Sequence, residues 1–410
     1  MTKKIENPNL KRELGLLEAT FYGVGIILGA GIYALLGKGA GLSGNALWLS
    51  FTIAAIIAAF TGMSYAELSS MYPKTAAEYN YTMHAFKKKT LSIIIGLLLA
   101  ALGAIGAATV SLGFAGYFTG IFGGSYILTA CTLIIMLSII NYIGIKESSR
   151  YNIIATVIEA SGLILVIMIW LFFFRDSGVD LLETAPQGFQ GVITATALIF
   201  FAYIGFENIA NISEEAKNPT QVIPKALILS IIISTLLYIL VSIASVSILG
   251  WENLSASEAP LTQAVSKAIP YAGPVMSLIA LFATSNTVLI MLIVSSRVLY
   301  GISRDNTLPK YLSKVGSSGT PYNAILITGI AALASLFMGD MQFIAMITNL
   351  GTFIVYFFVN LSLITLRYTE PGLRRPFRTP LNIGRFPLLA FFGAISCLAM
   401  IYFILLYFAQ

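Results

Sequence analysis

The stretch VGIILGAGIYALLG, residues 24–37, decides the fold because it places Gly29, Ala30 and Gly31 in the middle of a long apolar run. Within these three small residues, the two glycines destabilise a helix at that point. A helix interrupted inside a bilayer leaves backbone N–H and C=O groups unpaired, which costs several kcal/mol for each group unless protein, water or a ligand satisfies it. The stretch therefore predicts a bound solute at the interruption.

A second interruption, FFAYIGFE at residues 200–207, lies in the sixth apolar run. Two interrupted runs in corresponding positions of two halves of a chain indicate the binding site of a secondary transporter. The N-terminus of a half-helix carries partial positive charge and free N–H groups, which suit a carboxylate, whereas the freed carbonyl groups suit an ammonium or a metal cation. The pair therefore predicts a zwitterionic solute.

The composition sets the class of protein. Of the 410 residues, 57% are hydrophobic and only 10% are charged, which excludes a soluble domain with a solvated surface. A membrane-spanning helix needs about 20 mostly apolar residues, and the apolar runs do not alternate as the strands of a β-barrel do. We therefore expect an all-α membrane protein with about eleven transmembrane helices, near residues 14–36, 45–68, 90–118, 126–145, 151–174, 190–212, 225–249, 271–300, 322–338, 342–366 and 386–409.

The runs divide into two halves of five with one further helix. An odd number of runs in each half makes the second half cross the membrane in the opposite direction, which is the inverted repeat of many secondary transporters. We expect a cytoplasmic tail, a first repeat, a second repeat, and a cytoplasmic loop with a last helix, at residues 1–13, 14–184, 185–366 and 367–410 respectively.

Lysine and arginine predict the orientation, because they are retained on the cytoplasmic side of inserted helices. With the N-terminus inside, all of the 24 basic residues except Lys38, Arg175 and Lys267 fall in or next to cytoplasmic loops. The net charge of +6 is therefore a topology signal and does not indicate a nucleic-acid partner. We expect a multi-pass protein of the plasma membrane with its N-terminus in the cytoplasm.

The sequence contains few residues of the types that bind metals or act in catalysis. The chain has one histidine, His84, and two cysteines, Cys131 and Cys397, both inside apolar runs. This pattern favours packed thiols and makes a transition-metal site improbable. Motifs of hydrolases, zinc proteases and ATP-binding loops are absent from the sequence. We therefore expect neither a metal, nor a cofactor, nor an enzyme.

Six segments of the chain, taken in order, resemble the signatures of the amino acid/polyamine/organocation transporter superfamily, with the cationic amino acid transporter branch closest. The resemblance implies a fold like that of the leucine transporter, a 5+5 inverted repeat with helices 1 and 6 broken. It also implies transport of amino acids or related amines, driven by a proton gradient or by exchange. The segments are VGIILGAGIYALLG (24–37), YAEL (65–68), FFAYIGFE (200–207), SEEAKNPTQVIPKA (213–226), SRVLYGISRDNTLPK (296–310) and RRPFRTP (374–380).

The resemblance also implies the substrate contacts. The backbone of Gly29, Ala30 and Gly31 would bind the carboxylate. Glycine suits this role on physical grounds too, because only a residue without a side chain lets a ligand approach the backbone closely. The aromatic ring at position 201 would close over the substrate. The carbonyl groups that would bind the ammonium belong to Ile27, Phe201 and Ile204.

Two roles fit Glu159, which stands where some proton-coupled relatives carry a lysine. It lies nine residues beyond Arg150, hence about 13 Å along a helix, too deep to reach the interface. It could carry a proton or bind a coupling cation, with Ser285 and Asn286 as the other oxygen-bearing groups. It could equally be a structural carboxyl that stays protonated. The sequence thus leaves both a proton and sodium open as the coupling ion.

Glu207 follows the second interruption directly. Members of the family often carry an acid here, associated with gating or pH sensing. The alternative, which we favour, is a carboxyl that accepts hydrogen bonds from the interrupted backbone.

The leading hypothesis is a secondary amino acid transporter that works by alternating access. Symport, exchange and uniport, the particular amino acid and the number of subunits stay open. The alternative is a sensor that binds amino acids in the same pocket without transporting them. A membrane enzyme ranks third, because no nucleophile and base are placed together.

Overall fold

The structure is a computed structural model that describes residues 14–74, 76–143, 149–213, 216–305, 307–316 and 320–409. The protein is an all-α membrane protein: by length and composition, nine helical segments among these described residues could cross a bilayer. Large apolar side chains point outward from them, among them Phe172 with 73% and Leu128 with 65% of its surface exposed. Such a surface suits hydrocarbon rather than water.

The first part of the chain is helical, and a π-helical turn at Trp170–Phe174 continues its last helix. The helices are α1 (Leu16–Leu28), α2 (Ala30–Ser43), α3 (Leu47–Met71), α4 (Ala77–Phe86), α5 (Lys89–Phe122), α6 (Tyr126–Ile143) and α7 (Ser149–Ile169).

The second part adds nine helices and one small hairpin, formed by strands β1 (Asn382–Ile383) and β2 (Phe386–Pro387). The helices are α8 (Gly188–Ile199), α9 (Asn208–Asn211), α10 (Pro219–Leu249), α11 (Trp251–Ser255), α12 (Pro260–Ala268), α13 (Gly273–Arg304), α14 (Tyr322–Ser335), α15 (Met341–Thr369) and α16 (Leu388–Ala409).

Every apolar run predicted from the sequence overlaps at least one helix of the described residues. Nine segments are counted instead of eleven because α1, α2 and α3 follow one another so closely that they form one segment, Leu16–Met71, and because α14 has only 14 residues. At 1.5 Å per residue, α14 is about 21 Å long, shorter than a hydrocarbon core of about 30 Å. The inverted relation of the two halves stays a prediction.

Small residues allow the central helices to pack closely. α5 lies along α13, α3 lies along α10, and α1 contacts both α7 and α10. A Cβ atom on Gly103 of α5 would lie 2.1 Å from Ser295 Oγ of α13, and one on Gly62 of α3 would lie 2.5 Å from Ile231 Cδ1 of α10. Glycine at such crossings lets the backbones of membrane helices approach. The interrupted first run is therefore enclosed by closely packed helices.

A buried ion pair joins the YAEL motif to the RRPFRTP segment. Glu67, which has no exposed surface, accepts hydrogen bonds of 2.6 Å from both Nε and Nη2 of Arg367 on α15. Its Oε2 also accepts from Thr379 N at 2.8 Å, and Arg375 Nε lies 3.2 Å from Oε1. A buried charge is tolerated when it is paired in this way. Glu67 therefore anchors the loop between α15 and α16 to the end of α3.

Candidate functional site

Gly29 separates α1 from α2 at a point where two other elements pass close by. A Cβ atom on Gly29 would lie 1.9 Å from Thr287 Oγ1 on α13. A Cβ atom on Gly31 would lie 2.2 Å from Ala202 Cα, in the second interruption. Ala30, the other predicted carboxylate ligand, begins α2, and its side chain lies outside the described part of the structure. The two glycines thus permit an approach that any side chain would prevent.

The sixth run is interrupted over more residues than the first. α8 ends at Ile199, a 3-10 turn covers Phe200–Tyr203, and α9 begins at Asn208. Between them, Gly205 has φ +127°, a conformation that only glycine adopts readily. A Cβ atom on Gly205 would lie 2.2 Å from Ile26 Cγ2 on α1. The two interruptions therefore touch each other.

Tyr238 of α10 bonds to both interruptions. Its hydroxyl donates toward Ile27 O at the end of α1, and it lies 3.0 Å from Ala202 O in the 3-10 turn. The carbonyl of Ile27, predicted to bind an ammonium, thus faces a hydrogen-bond donor in the structure. Phe201 O accepts from Ile204 N at 3.2 Å, within the second interruption.

A cavity of about 50 Å³ borders both interruptions. It is several times larger than the ~10–15 Å³ that one water needs. Ile26 and Ile204 line it from the two interrupted runs, and α5, α13 and α15 form the remaining walls. The walls are mostly apolar, with Leu102, Met291 and Val294 among them. The cavity can accept an aliphatic group next to the interrupted backbone at Ile204 and Gly205.

Glu207 fixes one side of this cavity. The residue is 3% exposed, and its Oε2 accepts from Tyr356 Oη of α15 at 2.7 Å and from Gly205 N at 2.8 Å. The carboxyl therefore holds the interrupted backbone against α15. The bond from Gly205 N is of the kind that the structural interpretation of Glu207 expects, and the role of Glu207 in gating stays a prediction.

Glu159 of α7 and Asn286 of α13 form a hydrogen bond close to α2, the helix that follows the first interruption. Glu159 has no exposed surface, and its Oε1 accepts from Asn286 Nδ2 at 3.3 Å. Its Oε2 has no hydrogen-bond partner among the described residues. Its backbone carbonyl accepts from Tyr33 Oη of α2 at 2.7 Å. Ser285 donates to Phe282 O of its own helix at 2.9 Å, and its part in a cation site stays a prediction.

A further buried carboxyl, Glu78, lies in α4, outside the membrane-crossing segments. Its Oε1 accepts from Tyr65 Oη at 2.9 Å, and its Oε2 has no hydrogen-bond partner among the described residues. Burial raises the pKa of Glu78 to about 7, and the charge of Glu207 acts in the same direction. The Tyr65 ring packs on Tyr356, the partner of Glu207, with centroids 5.8 Å apart. A carboxyl that titrates near neutral pH thus adjoins the interrupted sixth run.

The sequence did not predict three residues of the site: Tyr238, Tyr356 and Thr287. Each lies in a long apolar run far along the chain from the residue that it contacts. The two tyrosines carry a signal in the sequence: each lies in an apolar run, where a buried hydroxyl needs a hydrogen-bond partner. The identity of that partner depends on tertiary packing, which a single sequence does not reveal.

Two touching helix interruptions beside a cavity in an all-α membrane protein are typical of a membrane transporter, and the family and relatives of this chain show a transporter rather than an enzyme. The chain belongs to the amino acid permease family, whose sequence profile matches residues 14–410. This match confirms the resemblance to the amino acid/polyamine/organocation superfamily near the cationic amino acid transporter branch.

Similar proteins span most of the chain. The branched-chain amino acid permease of Bacillus subtilis (strain 168) is 30% identical over 395 residues, which cover 91% of this chain and 84% of the permease. The methylthioribose transporter of the same organism is 27% identical over 406 residues, 93% of this chain and 86% of that protein. Cationic amino acid transporter 3, mitochondrial, of Arabidopsis thaliana is 32% identical over 374 residues, 85% of this chain and 61% of that protein.

Proposed function

We propose that this protein is a secondary active transporter that moves amino acids across the plasma membrane by alternating access, with its N-terminus in the cytoplasm. The observation that carries the proposal is the contact between the two interruptions. Gly31 lies against Ala202, and Gly205 lies against Ile26. Backbone groups of both polarities, freed from the regular helical pattern, are thereby gathered next to a cavity, where a zwitterion can bind them.

The carboxylate of the substrate binds at the start of α2. The first N–H groups of a helix have no partner within it, and the helix dipole favours negative charge there. In α2 these groups belong to residues from Ala30 onward, which include Gly31. The ammonium binds at the carbonyls of Ile27, Phe201 and Ile204.

The side chain of the substrate is neutral, aliphatic and of small to medium size. The cavity walls are mostly apolar, and Glu207, the one acid among the described lining residues, already accepts two hydrogen bonds. A cationic side chain would find a single acid there, whose Oε2 is already shared between Gly205 N and Tyr356 Oη. The specificity named for the Bacillus subtilis branched-chain permease agrees with this preference.

Coupling takes place at Glu159. One of its oxygens is bonded to Asn286 and the other has no partner among the described residues. An unpaired charge in this position would be costly, so the carboxyl takes up a proton or a cation. Protonation on one side of the membrane and release on the other would drive accumulation. Exchange of internal for external amino acid is the second mode that the same site supports.

The test is uptake by purified protein in proteoliposomes across a panel of amino acids, with and without a pH gradient, a sodium gradient and internal substrate. We expect saturable uptake of neutral aliphatic L-amino acids that a pH gradient or internal amino acid stimulates. Stimulation by sodium alone would make sodium the coupling ion. Binding without flux would identify a sensor, and uptake of methylthioribose without amino acids would contradict the proposed substrate class.

A further inference from the structure

The position of Tyr238 assigns it a role beyond packing. Its hydroxyl meets Ile27 O and lies 3.0 Å from Ala202 O, so one side chain contacts both interruptions. The residue has no exposed surface. Its ring lies 5.4 Å from that of Phe51 and 5.3 Å from that of Tyr203, measured between centroids. The surrounding rings therefore hold the hydroxyl in place.

Neither carbonyl has its usual partner. Ile27 O is among the last four carbonyls of α1, which no N–H of that helix reaches. Ala202 O would accept from Gly205 N if the 3-10 turn continued, but Gly205 N donates to Glu207 Oε2 at 2.8 Å. Unpaired carbonyls at this depth are strongly unfavourable. The tyrosine hydroxyl thus replaces a donor that the interruptions remove.

A substrate ammonium at Ile27 O would provide the same kind of donor. An ammonium has three N–H groups, whereas a tyrosine hydroxyl has a single proton to donate. When an ammonium occupies Ile27 O, the proton of Tyr238 is left for Ala202 O. Without a bound ammonium, the Tyr238 hydroxyl is the donor that lies within hydrogen-bond distance of both Ile27 O and Ala202 O.

We propose that Tyr238 stabilises the unloaded carrier, by sharing its hydroxyl proton between the carbonyls of Ile27 and Ala202 while no substrate is bound. The hydroxyl thereby lets the carrier change between its inward-open and outward-open forms without substrate. Net transport needs that unloaded step, whereas exchange of one amino acid for another does not. This inference rests on the proposed transport function and extends it to one residue.

The experiment compares two fluxes from the same vesicles. Proteoliposomes loaded with labelled L-leucine are diluted into buffer without amino acid, which measures net efflux, or into buffer with unlabelled L-leucine, which measures exchange. Tyr238→Phe keeps the ring and removes the hydroxyl. We expect the ratio of net efflux to exchange to fall about tenfold, which corresponds to about 1.4 kcal/mol.

The matched control is Tyr117→Phe. Tyr117 of α5 is also buried, and its hydroxyl donates to a carbonyl of the first run, Tyr33 O, at 2.8 Å. Tyr33 lies within α2, where the carbonyl also has an N–H of its own helix. We therefore expect Tyr117→Phe to leave the ratio of net efflux to exchange at the wild-type value.

The outcomes separate this inference from the proposed function. A wild-type protein that moves no amino acid in either assay contradicts the transport function itself. A wild-type protein that performs both fluxes, together with a Tyr238→Phe variant whose ratio is unchanged, overturns the role of Tyr238 alone. Equal loss of both fluxes in the variant, or a wild-type protein that exchanges without net efflux, overturns it as well.

A second substitution covers the case in which Tyr238→Phe does not fold. Incorporation of 3-fluorotyrosine at Tyr238 keeps the hydroxyl and makes it a stronger donor, because the phenol becomes more acidic. The carbonyls of the unloaded carrier are then better satisfied, so we expect the ratio of net efflux to exchange to rise. An unchanged or lower ratio counts against the proposal.

Discussion

At Glu159, a carboxyl without exposed surface has one oxygen bonded to Asn286 and one without a partner among the described residues. If this carboxyl carries the coupling proton, Glu159→Gln should retain counterflow exchange and abolish accumulation driven by a pH gradient. Glutamine keeps the shape of the side chain, but it does not change charge. The measurement is concentrative uptake into proteoliposomes, with counterflow recorded on the same preparation.

The control for this substitution is Glu258→Gln, since the side chain of Glu258 is 57% exposed and pairs with Lys38. We expect it to leave both activities unchanged. Concentrative uptake by Glu159→Gln with the wild-type dependence on pH would show that Glu159 is a structural carboxyl.

Glu78 allows a prediction about stability and pH. Its pKa in the folded protein is raised to about 7 by burial, whereas an unfolded glutamate titrates near 4.3. The folded protein therefore binds more protons between these values, and its stability falls as the pH rises through this window. Glu78→Gln should remove that loss and raise the free energy of unfolding at pH 8 by up to about 4 kcal/mol, at about 1.4 kcal/mol per pKa unit.

Thermal unfolding of wild type and Glu78→Gln at pH 5 and pH 8 checks this prediction. The stabilising effect should shrink toward pH 5, where the folded wild-type carboxyl is already protonated. A difference of the same size at both values of pH would contradict the assigned titration.

On the scale of elements, the proposed binding site depends on the close approach of α2 to the 3-10 turn of the sixth run. Gly31→Ala places a Cβ atom 2.2 Å from Ala202 Cα and should force the two interruptions apart. Overpacking of this kind costs about 1–3 kcal/mol, and we expect uptake to fall at least tenfold. Gly120→Ala on α5 is the control, because a Cβ atom there has no neighbour within 4 Å. Normal uptake by Gly31→Ala would place the substrate elsewhere.

The sequence predicts the membrane helices, but it does not predict the short elements that connect them. The membrane helices follow from apolar runs alone, since hydrocarbon requires such runs wherever a helix crosses it. The short helices α4, α11 and α12 and the hairpin of β1 and β2 were not predicted, because they lie in the connecting segments and carry no long apolar run. The glycines at the first interruption were visible in the sequence, whereas Tyr238 was not, because its partners lie on other helices.

On the scale of the whole molecule, the proposed function requires one site to recognise both charged ends of a zwitterion while the helix bundle alternates access to that site. The start of α2 offers N–H groups, and the end of α1 and the 3-10 turn offer carbonyls. An amino acid lacking either charged group should therefore bind poorly even when its side chain fits the cavity. This requirement distinguishes a transporter of amino acids from one that recognises only an aliphatic group.

Competition in counterflow tests this claim most directly. Proteoliposomes containing unlabelled L-leucine take up labelled L-leucine in the presence of excess L-leucine, its methyl ester or the corresponding 2-oxo acid. The account predicts strong inhibition by L-leucine and inhibition at least tenfold weaker by the ester, which lacks the carboxylate, and by the 2-oxo acid, which lacks the ammonium. Equal inhibition by all three compounds would contradict a site built on the backbone of the two interruptions.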